Sequence, residues 1–364
     1  MNPSHARVLV VSAYDADSHQ YWFNRLTEMY PDAAFTRIAL PPVNYAWRQR
    51  GNALRLAGEF ETQLSGDYDM LWVTSAVDLA TLRGLVPCLA NLPTLVYFHE
   101  NPFAYPDASR PGHALDAQLT SLYTAMAADR CVFNSRHNLS SFLSGVAALL
   151  DKCPDEVPPG VVQSLLAKSQ ETPVPLAGDL FRREIAERDR SGIRIAWNHR
   201  WGFDKGPERL LAFAKALDRS DVDAQLMLLG HRSDVAPGSL RELLDHYGHL
   251  VSFNGFEDDR EMYCARLAMA DVVLSTARHD FQGLCIMEAV ALGCVPLVPD
   301  RLSYPEFFQD TPRYRSSPDA DAEATNAVAL LRMWRDNGLP PVPDVSRFRV
   351  SVLEQQYTQA IMAL

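Results

Sequence analysis

Short, nearly continuous apolar runs rich in Val, Ile and Leu alternate along this chain with longer stretches in which apolar residues return every three or four positions. Runs of the first kind, at 7–13, 35–40, 69–74, 94–99 and 130–134, read as strands of a parallel sheet covered on both faces. Stretches of the second kind read as helices: 20–30, with Trp22, Phe23, Leu26 and Met29 on one side, and 115–128. A proline-rich turn at 151–160, a short helix at 161–168 and the segment 170–176 close this first half. A second series starts at Gly192, with strands at 193–198, 225–230, 251–253, 271–276 and 294–298. Between the last two, Gly283 opens a helix with apolar residues at Leu284, Met287, Ala291 and Leu292, and Gly293 stops it. Pro340 and Pro341 introduce a coil, and 348–364 reads as a terminal helix. This alternation predicts an α/β protein with two doubly wound parallel sheets. The expected division is a first domain at 1–177, a charged, aromatic-poor linker at 178–191, a second domain at 192–345 and a terminal helix at 346–364.

Composition narrows the class. A chain of 364 residues has room for about two domains of roughly 150 residues each. At 47% hydrophobic and 22% charged it is that of an ordinary globular protein. No apolar run nears the ~18–20 residues of a membrane span, and 8–11 is too short for a leader's apolar segment. Six cysteines include no C-x-x-C pair and no histidine at zinc-finger spacing. Free thiols without an export signal point to the cytoplasm. The net charge of −11 argues against broad electrostatic nucleic-acid binding. It is uneven: residues 1–150 hold ten Arg, no Lys and thirteen acids, so they carry −3 and the remainder −8. An RNA partner would therefore need a local basic stripe on the first half. The first strand lacks a following G-x-G-x-x-G, which disfavours a dinucleotide enzyme. Four D-x-D pairs among 45 acids are chance occurrences and mark no metal site.

The remaining polar residues cluster where such sheets keep ligands, at the carboxyl ends of strands. Asp280 precedes the helix opened at Gly283, and Glu288 lies inside it, eight residues on. Between them, the N–H groups of Gly283 and Leu284 make a helix start suited to a diphosphate. Taken alone, the pair is equally a capping Asp and a solvated Glu. Arg200 and Lys205, five apart before Pro207, can grip a diphosphate from two sides or be surface charges. In the first half, His99-Glu100-Asn101 and Asn134-Ser135 end two strands. Trp47, Arg48 and Arg50 share one turn, as stacking on a base beside phosphate contacts would need; a solvated amphipathic helix start looks the same. Ser18 and His19 fit a helix cap and a surface His as well as a ligand contact.

Several of these words resemble one family in matching order. The segment DVVLSTARHDFQGLCIMEAVALGCVPLVPDRLSYPEFF at 271–308 is similar to the E-x7-E region of retaining GT-B glycosyltransferases, with Asp280 in place of the first Glu. It is closer still to their queuosine-tRNA mannosyltransferase branch, departing from it at Asp280, Gln282 and Met287. Ser18-His19, Y-F-H-E-N-x-x-x-Y-P at 97–106, F-N-S at 133–135 and H-R-W-x-x-D-K-x-P-E at 199–208 are further words of that branch. The resemblance runs from about residue 13 to 308. It implies a GT-B fold: two Rossmann-like domains facing a cleft, the terminal helix crossing back to the first. It also implies a retaining, metal-independent hexosyltransferase that needs no cofactor and moves mannose from GDP-mannose to queuosine in a tRNA anticodon loop, that of aspartate tRNA. Arg200, Lys205, Gly283 and Leu284 would then neutralise the leaving diphosphate. Asp280 and His99 would hold the sugar, Glu288 the ribose and Phe256 the base. Ser18, His19, Trp47, Arg48, Arg50, Asn101, Asn134 and Ser135 would face the acceptor. No covalent nucleophile is evident, so the departing phosphate would take the acceptor's proton on the same face. Other readings are a retaining GT-B enzyme with a lipid, glycan or small-molecule acceptor, a catalytically silent nucleotide-sugar-binding protein, and an unrelated α/β binding module.

Overall fold

A computed structural model describes residues 3–105, 111–182, 192–231 and 238–364. The chain forms two compact units, Met1–Pro175 with Val350–Leu364, and Leu176–Arg349. The first carries strands β1 (Arg7–Ser12), β2 (Ala34–Ala39), β3 (Met70–Thr74), β4 (Thr94–Phe98), β5 (Arg130–Phe133) and β6 (Ser169–Glu171). They form one sheet in the order β2-β1-β3-β4-β5-β6, every neighbouring pair parallel. Leu9, Val11, Leu71, Val73, Val96, Phe98 and Phe133 feed one core, the burial that their continuous apolar runs call for. Helix Asp17–Met29 starts three residues before the expected 20, and helix Val350–Met362 returns to pack against it. That return is anchored by polar bonds inside an apolar contact. Tyr357 Oη accepts from Trp22 Nε1 at 3.2 Å and donates to the Pro173 carbonyl at 3.2 Å.

The second unit carries β7 (Ile193–Trp197), β8 (Ala224–Leu228), β9 (Val251–Asn254), β10 (Val272–Leu274) and β11 (Val295–Leu297). Their order is β11-β10-β7-β8-β9, again all parallel. The chain winds outward from β7 in both directions, so the gap between the carboxyl ends of β7 and β10 is the switch point where such sheets take ligands. Helix Ala320–Asn337, to which the sequence reading assigns no element, packs on helix Pro207–Asp218 through Leu331, Trp334 and small residues. Of the expected linker, Gly178–Phe181 forms a 3₁₀ turn within this unit. Residues 183–191 and Pro106 lie outside the described residues.

Gly206 fixes how closely the two switch-point loops approach. Its φ is +65°, and a Cβ there would collide with the Thr276 carbonyl oxygen. Pro207 then starts the helix with its φ already set. Gly206→Ala should therefore destabilise the protein by about 2–4 kcal/mol, the sum of a left-handed residue and an overpacked contact. Denaturant unfolding checks this: a midpoint equal to the parent's would contradict the tight approach.

Candidate active site

At the β7/β10 switch point two loops are stitched together by their backbones. The Asp204 carbonyl accepts from the amides of Arg278 and His279 at 2.9 and 3.0 Å. Thr276 Oγ1 donates to the Lys205 carbonyl at 2.8 Å and accepts from Trp197 Nε1 at 2.9 Å. Lys205 is thereby drawn under the second loop. Its ammonium donates to the His279 carbonyl and to Asp280 Oδ2, both at 3.1 Å, with Asp204 Oδ2 at 3.6 Å. Burial alone would pull this ammonium's pKa down, but Asp280 and Asp204 outweigh it and raise it. Burial likewise pushes the Asp280 carboxyl up, yet Lys205 and the Gly283 amide hold it below the usual range. The pair is fully ionised at neutral pH.

One expectation needs correction here. The Gly283 amide is not free: it donates to Asp280 Oδ1 at 2.8 Å, just ahead of helix Leu284–Ala291. Arg200 joins the same charge cluster, since Asp204 Oδ2 accepts from its Nη2 at 2.8 Å. Sequence reasoning passed over Asp204, although it lies inside the H-R-W-x-x-D-K word. Two cations and two carboxylates therefore balance in the ligand-free site. Arg200, with 61% of its side chain exposed against 15% for Lys205, is the cation that can exchange its partner for an incoming anion.

Glu288 is not solvated either. It is buried, accepts from Arg260 Nη1 at 3.1 Å, and has the Tyr263 hydroxyl at 3.5 Å. Asn198, at the tip of β7, donates to Tyr263 Oη and to the Cys285 carbonyl, at 3.1 and 2.8 Å. His199 lies between Ser275 Oγ and Cys285 Sγ, each at 3.2 Å, and burial lowers its pKa to about 3. Phe256 is half exposed, edge-on to His231, and so is not a core residue.

In the first unit the expected residues separate into two groups. Asn101, Asn134 and Ser135 are buried and committed to one another's surroundings. Asn101 Nδ2 donates to Asn138 Oδ1 at 2.7 Å, and Asn134 Nδ2 to the His99 carbonyl at 2.9 Å. Ser135 Oγ caps the next helix through the Asn138 amide at 3.0 Å. They shape the strand tips, each with a hydrogen-bond partner inside this unit. His19 is no surface residue: its ring stacks on His99 at 4.1 Å, and its Nδ1 meets Ser12 Oγ at 3.1 Å. Among the described residues, buried His99 Nε2 has no hydrogen-bond partner. Ser18 lies in the first turn of its helix, whose N-cap is Ala16.

On helix Tyr45–Glu59 the Trp47 indole lies over Gly51, where any Cβ would strike it, and stays two-thirds exposed. Arg50 is partly neutralised by Asp78 Oδ2 at 3.3 Å. Arg48 is buried; among the described residues its Nε has no acceptor. Burial and Arg55 lower its pKa, and Glu59 acts the other way.

The buried imidazoles give a pH prediction. Burial lowers the pKa of His19 and of His199 to about 3, and that of His99 well below its ordinary value. Unfolding restores a pKa near 6.5, so the unfolded chain binds more protons below that pH. Stability is complete above about pH 6.5 and falls as pH drops toward 3, by roughly 1 kcal/mol per pH unit for each such histidine. Thermal unfolding at pH 7 and 5 should show this loss, and His19→Gln should reduce it. An equal loss in that variant would contradict the neutral, buried imidazole.

Known proteins resemble this chain in sequence and in fold. Residues 7–176 match the family described as tRNA-queuosine alpha-mannosyltransferase N-terminal. The chain is 29% identical over 344 residues to the tRNA-queuosine alpha-mannosyltransferase of Drosophila melanogaster, covering 92% of this chain and 90% of that one. Over 106 residues, 29% of this chain and 26% of the other, it is 34% identical to a GDP-mannose-dependent alpha-(1-6)-phosphatidylinositol dimannoside mannosyltransferase of Mycobacterium tuberculosis. Among solved structures, sucrose-phosphate synthase of Thermosynechococcus elongatus superposes with a TM-score of 0.70 at 14% identity, covering 98% of each chain. Anabaena HepE in complex with UDP and glucose gives 0.62 at 14% identity, covering 99% of this chain and 100% of that one. The structural likeness establishes the GT-B-like fold of two parallel-sheet units, and in sequence the chain is similar to the tRNA-queuosine alpha-mannosyltransferases.

Proposed function

We propose that this protein transfers mannose from GDP-mannose to queuosine in the anticodon loop of tRNA, that of aspartate tRNA, with retention of configuration. The observation that carries the reading is the buried Lys205 ammonium, joined to Asp280 at a switch point whose neighbouring helix begins at Leu284. A departing GDP needs its growing charge neutralised in a partly dry site. Lys205 supplies a fixed cation, and Arg200 swings from Asp204 to supply a second. Asp280, already oriented by Lys205 and the Gly283 amide, presents its carboxylate to sugar hydroxyls. His99, neutral with an unpartnered Nε2, is a second sugar contact. Glu288 takes the ribose and Phe256 covers the base. The leaving phosphate oxygen accepts the acceptor's proton as the new glycosidic bond forms. The GDP-mannose dependence of the mycobacterial relative supports the donor.

The acceptor side of the proposal rests on Trp47 and Arg48. An exposed indole and, one residue on, a guanidinium whose Nε lacks an acceptor among the described residues suit an unpaired base with its phosphate. Such a local cation also reconciles RNA binding with a net charge of −11. Ser18 and His19 are the nearer expectations for contact with the modified nucleoside.

Tandem mass spectrometry of tRNA tests the reaction. With GDP-mannose, tRNA containing queuosine should gain one hexose, and tRNA lacking it none; transfer to neither, or equally to both, would contradict the acceptor. Lys205→Met and Arg200→Ala should lose roughly 2–4 kcal/mol of transition-state stabilisation, the cost of removing one preorganised donor. Full turnover in both would reject their role. Arg48→Gln should weaken tRNA binding and lower the slope of log affinity against log salt by about one, with a smaller change for Arg50→Gln. Filter binding across a salt series measures this, and an unaltered slope in Arg48→Gln would remove the phosphate contact.

A further inference from the structure

The Glu288 carboxylate is one end of a chain of charges that the proposed reaction does not use. Arg260 Nη1 donates to Glu288 Oε1 at 3.1 Å, while its Nε and Nη2 donate to the two oxygens of Asp179 at 3.0 and 3.4 Å. One guanidinium thus spans two carboxylates, from the 3₁₀ turn Gly178–Phe181 and the helix Leu284–Ala291. Arg260 is the first residue of helix Arg260–Ala268, which Asp259 caps through the Met262 amide at 2.9 Å. A cation at a helix start opposes the helix dipole. Its position is therefore explained by the two acids it joins and not by the helix that carries it. Asp179 orients the planar fork, and the fork fixes the rotamer of a carboxylate that is itself buried.

We infer that Arg260 is the positioning residue that aims Glu288 at the 2′,3′-diol of the nucleotide, with Asp179 holding Arg260 in place. The diol meets a pre-aimed acceptor and does not have to order it. Discrimination for a ribonucleoside diphosphate over one lacking both hydroxyls is then set by Arg260 as much as by Glu288. The inference rests on the reading of Glu288 as the ribose contact.

Calorimetric binding of GDP and of 2′,3′-dideoxy-GDP to the full chain separates the two claims. The parent should prefer GDP about ten- to a hundredfold, as hydrogen bonds to a charged group allow. Arg260→Ala should lose most of that preference while binding dideoxy-GDP within about twofold of the parent, which also shows that the variant is folded; Arg260→Lys should restore part of it and Asp179→Asn should lose part of it. Full preference for GDP in Arg260→Ala overturns the inference and leaves the ribose reading standing. A parent indifferent to the diol overturns the ribose reading of Glu288, and the inference with it.

Discussion

A buried ammonium held by a carboxylate 3.1 Å away is the interaction on which the second unit's chemistry depends. Lys205 and Asp280 are 75 residues apart in sequence and meet only because β7 and β10 lie side by side. Taking either charge out of water alone would cost several kcal/mol. Their attraction, the His279 carbonyl and the nearby Asp204 offset that cost. The result is a charge cluster with a buried ammonium and carboxylate at its centre.

That arrangement distributes tasks among residues with different freedom. Lys205 is immobile because three oxygens surround its nitrogen. Arg200 is exposed and has one carboxylate partner, so it can exchange Asp204 for a phosphate at little cost. Asp280 accepts from the Gly283 amide and from Lys205, which together orient it. The first unit shows the same separation. Its Asn101, Asn134 and Asn138 are joined in one buried network, whereas Trp47 is left exposed.

Much of this was legible in the sequence, for identifiable reasons. Strands of parallel sheets are continuous apolar runs, so all five strands of the second unit lie within a few residues of their expected bounds. The helix Ala320–Asn337 was not legible, because Ala324, Ala327 and Val328 bury little apolar area and stand among acids. Polar words at strand tips marked the right regions but not the right roles. A buried amide network and a ligand-binding triplet have the same composition, so the hydrogen bonds of Asn101, Asn134 and Ser135 to their neighbours were not legible. Charges drew attention as ligand contacts, while their partners were missed: Asp204, four residues from Arg200, was passed over, and Arg260 reaches Glu288 from another helix that no local spacing connects. Nothing in the helix of His19 signals the His99 ring stacked upon it.

The position of a bound diphosphate tests the central claim most directly. Crystals grown with GDP should place the diphosphate within hydrogen-bond distance of Lys205 Nζ, with Arg200 moved from Asp204 onto a phosphate oxygen. A diphosphate bound well away from both Lys205 and the start of helix Leu284–Ala291 would contradict the account.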